Sequence, residues 1–175
     1  MIENALIIPT GDEIKEGIVQ DTDSPMIMQQ LINLNPRCQV VRSIPINDDE
    51  NAILDAIISN IESNLDIIIL IGGSGGGHRY SSTLGKDFTH SALETILEQK
   101  YVGEIYGKNG HLWCKLLCGK KDSTLIINVP GPFKESKAAM EAFVLAYQKS
   151  PNNLKSINEA MIASVIQQYP VGIVK

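Results

Sequence analysis

Apolar positions in this chain are arranged in two ways. In Leu65 to Ile71 and in Thr124 to Val129 they run together almost without a break, which suits strands buried on both faces of a parallel sheet. Elsewhere they recur at helical spacing. Ile27, Leu31 and Leu34 follow Ser24-Pro25, a capping serine and a first-turn proline. Ile53, Leu54, Ile57, Ile58 and Ile61 follow Asp48-Asp49, and Ala92, Leu93, Ile96 and Leu97 follow a cap at Thr89 or Ser91. Pro132 opens a helix with Ala139, Phe143, Ala146 and Tyr147 inward, and Pro151-Asn152-Asn153 breaks it. Ser156-x-x-Glu159 then reads as a capping box before Met161, Ile162, Val165 and Ile166. Two short strands, Ala5 to Pro9 and Gln39 to Ser43, precede the first apolar run. Residues 101–121 have the weakest pattern, with Leu112 to Leu117 a strand or hairpin arm.

The strand and helix alternation requires long connections, parallel pairing and right-handed crossovers. It predicts an α/β fold: one three-layer α/β/α domain over residues 1–175, with a mostly parallel sheet and a ligand site outside its C-terminal edge. The first apolar run ends in Gly72-Gly73-Ser74-Gly75-Gly76-Gly77, five glycines in six positions, where a simple turn needs one or two. Such a stretch frees the backbone and removes side chains, as an anion cradle requires. It is neither of the two familiar phosphate loops. Lys86 has Tyr80 where a P-loop needs glycine and Asp87 where it needs a hydroxyl, and a dinucleotide fingerprint would need a glycine at His78 or Tyr80.

Composition adds exclusions. At 175 residues, 43% hydrophobic and net charge −5, the chain can bury a large core and offers no general surface for nucleic acid or an anionic membrane. No apolar run reaches the length of a membrane span, and the acidic start Met1-Ile2-Glu3-Asn4 lacks a signal peptide's basic region, so the expected location is cytoplasmic. Cys38, Cys114 and Cys118 lack zinc or redox spacing and read as reduced core thiols.

Three C-terminal strand ends converge on the predicted site: the glycine loop, the Asp48-Asp49 turn and Pro130-Gly131-Pro132. Asp49 and Asp87 can then face each other across an anion, an arrangement that makes sense with magnesium between carboxylate and phosphate. Asp49 suits a helix N-cap equally well. His78, Arg79, Lys86, His90 and Lys134 are the nearby cations for a polyphosphate. Gly73-Ser74-Gly75 lacks the context of a nucleophile elbow, so a serine hydrolase is rejected.

Six stretches in register resemble the molybdopterin-binding domain shared by molybdopterin adenylyltransferases, molybdopterin molybdotransferases and the competence-damage-inducible proteins. They are Thr10-Gly11-Asp12-Glu13, Gly17 with Asp21-Thr22-Asp23, Asp48-Asp49-x-x-Ala52-Ile53, Asp66 to Gly75, Lys86-Asp87-Phe88-Thr89-x-x-Ala92 and Val129-Pro130-Gly131-Pro132. The resemblance implies that Gly72, Gly73, Ser74, Gly75, Thr89, Pro130 and Gly131 hold phosphate or pterin and that Thr10, Gly11 and Asp12 face nucleotide. It implies that Asp49 and Asp87 are the catalytic and magnesium-binding acids, and that molybdopterin and ATP are substrates of a nucleotidyltransferase assembled as a homo-oligomer, most often a trimer. Asp48 and Asp49 compete for one role, and the distance to Ala52-Ile53 favours Asp49. Eleven residues separate Gly75 from Asp87, more than the family pattern has. The expectation is therefore an insertion within Gly76 to Leu84, since an ungapped reading puts Tyr80 at the acidic position. Other functions within the resemblance are a non-catalytic pterin or nucleotide binder, a nucleotide-diphosphate hydrolase and a metal-insertion protein. The Thr10-Gly11-Asp12-Glu13 opening looks more like the last two, although metal-insertion proteins carry extra domains.

Overall fold

The computed structural model describes residues 1–61, 63–75, 87–169 and 172–174. Its elements in chain order are β1 (Asn4–Pro9), α1 (Asp12–Lys15), α2 (Asp23–Leu34), β2 (Gln39–Arg42), α3 (Glu50–Ile61), β3 (Ile67–Ile71), α4 (Thr89–Ile96), β4 (Gln99–Gly107), β5 (Leu112–Lys121), β6 (Thr124–Val129), α5 (Phe133–Lys149), α6 (Leu154–Ile166) and β7 (Gly172–Val174). The strands form one seven-stranded sheet in the order β2-β1-β3-β6-β5-β4-β7. Pairs from β2 to β6 are parallel, and β6-β5, β5-β4 and β4-β7 are antiparallel.

Each face of the sheet carries its own core. Ile7, Ile69 and Ile127 point to the side covered by α2, α5 and α6, with Phe143, Ile27 and Met161 packed above them. Ile8, Ile68, Leu70 and Ile126 point to the other side, under Ile53 and Ile57 of α3 and Ala92 and Leu93 of α4. The period of two along β3 thus serves both layers, and all five of its residues are buried. Fully burying each isoleucine is worth about 1.5–3 kcal/mol, so this strand anchors the fold.

The weakly patterned region is a long hairpin. β4 pairs with β5 from Gln99–Lys120 to Tyr106–Leu112, with a register shift after Ile105. Its inward positions include Gly103 and Gly107, and at Gly103 a Cβ would stand 2.3 Å from Ile162 of α6. Three helix starts also differ from the sequence expectation. Thr89 is the first residue of α4, with Phe88 ahead of it and no side-chain cap, so neither Thr89 nor Ser91 caps that helix. In α2, Ser24 lies inside the helix and Thr22 at its N-cap; Asp21, one residue earlier, accepts from the Ser24 N–H through Oδ1 at 2.9 Å. Asn153 caps α6 by accepting from the Ser156 N–H, which leaves Ser156 inside the helix and Glu159 near Lys155 at 3.9 Å. In both α2 and α6 an Asx oxygen three residues ahead of the expected cap accepts that residue's N–H, which leaves the expected cap within the helix. Among the described residues, no helix is long and apolar enough to cross a membrane.

Candidate functional site

The parallel strands β1, β3 and β6 stop at one rim. One more bond on each side, Thr10 N–H to Ile71 O at 2.8 Å and Gly72 N–H to Val129 O at 3.0 Å, holds the rim before the chain turns away. Gly72 and Gly73 take φ of +90° and +60°, the left-handed region that side chains resist. Among the described residues the N–H groups of Gly73, Ser74 and Gly75 donate to no acceptor, while Gly73 O accepts from the His90 N–H at 3.4 Å and Ser74 O from the Lys115 N–H at 2.7 Å. The turn is therefore pinned by its carbonyls and presents its amides, the polarity an anion needs.

The last of those bonds is possible because the sheet opens beside the turn. β5 and β6 pair only from Cys118–Ile127 to Lys121–Thr124. Beyond that point Asn128, fully buried, intervenes: its Oδ1 accepts from the Leu117 N–H at 2.7 Å and its Nδ2 donates to Lys115 O at 3.0 Å. Asn158 of α6 donates to Leu116 O at 3.0 Å from the adjoining helix. These amides satisfy backbone that strand pairing would otherwise satisfy, and β5 is left free to reach Ser74.

A cavity of about 800 Å³ lies over this rim. Its floor is Gly72 to Gly75 with Pro130 to Pro132; one wall is the segment from Thr10 to Ile14 with Ile18 and Val19, and the other is Trp113, Glu135 and Tyr169. Eight carboxylate side chains line it, and among its described lining residues there is no lysine, arginine or histidine. Lys134 is exposed and lies off the lining. The His90 ring shares a 3.0 Å hydrogen bond, through Nε2, with Gly75 O, so it braces the turn from behind. His78, Arg79 and Lys86, like the expected insertion of Gly76 to Leu84, lie outside the described residues.

Two of these carboxylates sit against the glycine turn. A Cβ on Gly73 would stand 3.0 Å from Asp48 Oδ1 and 2.3 Å from Thr89 Oγ1, and a Cβ on Gly75 would stand 2.8 Å from Asp87 Oδ2. The space left by the missing side chains at these two positions is taken by protein carboxylates and the Thr89 side chain. Asp48 Oδ1 also accepts from the Phe88 N–H, one residue before α4, at 3.0 Å. Burial pushes the Asp48 carboxyl up to about 6, and the charges of Asp87, Asp12 and Glu13 add to the rise against the Phe88 hydrogen bond.

Asp49 goes elsewhere. It is exposed, its Oδ1 caps α3 by accepting from the Ala52 N–H at 2.9 Å, and it is absent from the cavity lining. The adjacent Asp48 takes the position beside Asp87 that the sequence reading gave to Asp49. The reason is local: the residue next to the first helical turn serves the cap, and its predecessor points back across the rim. Thr10, Gly11 and Asp12 all line the cavity, although the Thr10 hydroxyl is engaged by Ile71 O at 2.9 Å and by the Thr89 hydroxyl at 3.2 Å. Thr89, fully buried, stands behind the turn as a brace. Asp12 Oδ1 accepts from Asn47 Nδ2 at 2.7 Å and ties the β1 end to the turn before α3.

Sequence reasoning missed Trp113, Glu135 and Tyr169 as wall residues, and it gave Asp21 and Asp23 no role. Asp23 is 6% exposed, and its Oδ1 has no hydrogen-bond partner among the described residues. Burial, helped by the Asp21 charge, pushes its carboxyl up to about 7. Asp21 would also rise on burial alone, but hydrogen bonds from Ser24 and the Arg42 guanidinium, at 2.7 Å, hold it low. Under the turn, burial pushes the Cys114 thiol up to about 12, which makes it a packing group and no nucleophile.

Residues 6–150 match the family described as probable molybdopterin binding domain. A CinA-like protein from Thermosipho melanesiensis is 26% identical over 92% of the chain, and the chain spans 47% of that protein's length. Among solved structures, the molybdopterin biosynthesis enzyme MoaB from Thermus thermophilus superposes with a TM-score of 0.63 at 19% identity, covering 91% of this chain and 98% of that one. CinA from Thermoplasma acidophilum, of unknown function, gives 0.60 at 20% identity over 85% and 97%. At these identities the structural likeness concerns the fold, an α/β sheet of the same kind.

Proposed function

Because this chain belongs to the probable molybdopterin binding domain family, we propose that it binds the phosphate end of molybdopterin at Gly72 to Gly75 and adenylylates that phosphate with Mg-ATP. The observation that carries this reading is the meeting of Asp48 and Asp87 on a glycine turn whose three amides have no described acceptor. Amides supply anion recognition, and the two carboxylates supply the seat for a hard cation.

The residues present fit magnesium. That ion is commonly held by one or two carboxylates and completed by substrate phosphate and water. Asp48 and Asp87 match such a set, and among the described residues no group of three or more potential ligands suggests another metal. Magnesium, when bound, would neutralise phosphate charge at a rim that eight carboxylates otherwise make hostile to it.

The chain's own part is positioning. The Gly73, Ser74 and Gly75 amides orient the pterin phosphate; the Phe88 N–H fixes Asp48; Thr10 and Thr89 keep the turn from shifting. A phosphate oxygen of the pterin then attacks the α-phosphorus of ATP, the bond from that phosphorus to the bridging oxygen breaks, and pyrophosphate leaves. Such chemistry depends on alignment and charge neutralisation more than on covalent participation by the protein.

AMP transfer from ATP to molybdopterin tests the reading. Asp48→Asn and Asp87→Asn are each expected to lower transfer by about 10²-fold or more, with Asp49→Asn close to wild type. Transfer that survives both substitutions would overturn it. A second reading is favoured by the match to a CinA-like protein and by the Thr10-Gly11-Asp12-Glu13 opening: hydrolysis of a nucleotide diphosphate at the same two carboxylates. Product release in the absence of pterin would select it. The same proposal makes the protein a cytoplasmic homotrimer, checked by sedimentation equilibrium.

A further inference from the structure

Three consecutive residues at the start of α4 reach three other parts of the rim. The Phe88 N–H donates to Asp48 Oδ1 at 3.0 Å, the Thr89 hydroxyl shares a 3.2 Å hydrogen bond with that of Thr10, and His90 donates twice to the glycine turn itself. A helix leaves its first N–H groups without intrahelical acceptors, and its side chains lean toward its N-terminus. His90, second in α4, uses both facts. Its backbone N–H reaches Gly73 O at 3.4 Å, and its ring reaches back to Gly75 O at 3.0 Å. A carbonyl only accepts, so the ring nitrogen at that contact, Nε2, carries a proton. Nδ1 is buried and has no hydrogen-bond partner among the described residues. Ser74 O, between the two carbonyls, accepts from the Lys115 N–H at 2.7 Å, and Lys115 is itself fixed by Glu94 of α4 and Glu104 of β4. Two residues thus hold three consecutive carbonyls of the turn. Because a carbonyl and the following N–H belong to one planar peptide and point in opposite directions, holding Gly73 O and Ser74 O aims the Ser74 and Gly75 amides. The ring bond adds the far end, Gly75, where a Cβ would meet Asp87 Oδ2 at 2.8 Å.

We infer that His90 is a positioning residue for anion binding: by donating from Nε2 to Gly75 O it holds the far end of the glycine turn with its amides toward the cavity and keeps Gly75 beside Asp87. The role needs a donor at the position of Nε2, and neither the charge nor the bulk of an imidazole. His90 does not touch the anion; it acts through the turn. With the ring bond lost, the backbone N–H still holds Gly73 O, so the near end stays in place and the far end is released. This role rests on the reading that the glycine turn takes the ligand's phosphate.

Two amides of different reach test it. Glutamine carries an N–H donor as many bonds from Cα as Nε2 is, and asparagine carries one a bond nearer, at the place of Nδ1. In calorimetric titration with pyrophosphate at constant magnesium, His90→Gln is expected to bind within about twofold of the wild type and His90→Asn about tenfold more weakly. Equal affinities of the wild type and His90→Asn would overturn the role, and so would an equal loss in both variants. A second measurement needs no substitution: nitrogen–proton correlation spectra of the wild-type imidazole are expected to show a proton on Nε2 of His90, and a ring protonated on Nδ1 alone would overturn the role. Failure of the cradle looks different. Wild-type protein that binds no pyrophosphate removes the cradle and this role together, whereas pyrophosphate bound equally by all three forms keeps the cradle and removes the role of His90.

Discussion

The sheet joins two unlike halves at the β5–β6 seam. On one side, β1, β3 and β6 are parallel, buried on both faces and almost wholly aliphatic. On the other, the β4–β5 hairpin alternates, exposes Val102, and carries Lys115 between Glu94 at 2.7 Å and Glu104 at 3.0 Å. The first half contributes backbone to the site: strand ends, amides and a turn whose shape follows from its glycines. The hairpin contributes an aromatic side chain, and the two acidic loops that flank the rim contribute charge. The parallel half thus forms the floor of the cavity, while the hairpin closes part of one wall beside it.

The comparison has consequences that can be broken. The largest concerns stability. Ile69→Ala in β3 is expected to cost about 2–5 kcal/mol, and Val102→Ala on the outer face of β4 less than about 1 kcal/mol, both read from urea denaturation midpoints; similar costs would mean that the halves are equally load-carrying. Next come two left-handed glycines. Gly73→Ala combines φ +60° with a Cβ 2.3 Å from Thr89 Oγ1, whereas Gly110→Ala combines φ +76° with open space. The first is expected to cost about 2–4 kcal/mol and to remove phosphate binding, the second about 1 kcal/mol with binding intact, as measured by thermal unfolding and pyrophosphate titration.

The third expectation is a pH dependence confined to the rim. Asp23 is raised to about 7 in the folded protein by burial, far above an ordinary aspartate. The folded state therefore holds this proton more tightly than the unfolded one, and the contribution favours folding fully below about pH 4 and is lost as pH rises through 7. Asp23→Asn should flatten that limb and raise stability at pH 8 by on the order of 2 kcal/mol; an unchanged pH profile of the urea midpoint would dissociate Asp23 from it. The smallest effect separates neighbours. Asp49→Ala should lose about 1 kcal/mol through its cap on α3 and leave AMP transfer as it was, which a transfer assay beside a melting curve would show.

The parallel half was legible in the sequence because burial on both faces leaves uninterrupted aliphatic runs. Thr124 to Val129 even coincides with β6. Of the hairpin only the β5 arm was legible, as Leu112 to Leu117; β4 was not, because two of its inward positions, Gly103 and Gly107, carry no hydropathy and so erase the alternation that would announce a strand. In the site, the glycine turn declared itself by composition. The choice between Asp48 and Asp49 did not, since at a strand–helix junction one residue caps and the other crosses the rim, and spacing is blind to which. The expected caps Ser24 and Ser156 failed for the same reason, an Asx residue three positions ahead taking the bond. Trp113, Glu135 and Tyr169 come from three distant segments, and only the tertiary fold brings them to one wall. The one amide side chain in β6, Asn128, was a visible signal that the apolar reading passed over.

That residue, Asn128, is a stop on a zipper. Its two bonds occupy the Leu117 N–H and the Lys115 carbonyl, the groups through which β5 would close onto β6. An aliphatic residue there would suit its neighbours, let the ladder run to the rim and release Ser74 from its bond to Lys115. Position 128 is thus where stability and function pull in opposite directions: the sheet gains by closing, and the cleft exists because closure is arrested one residue short of it.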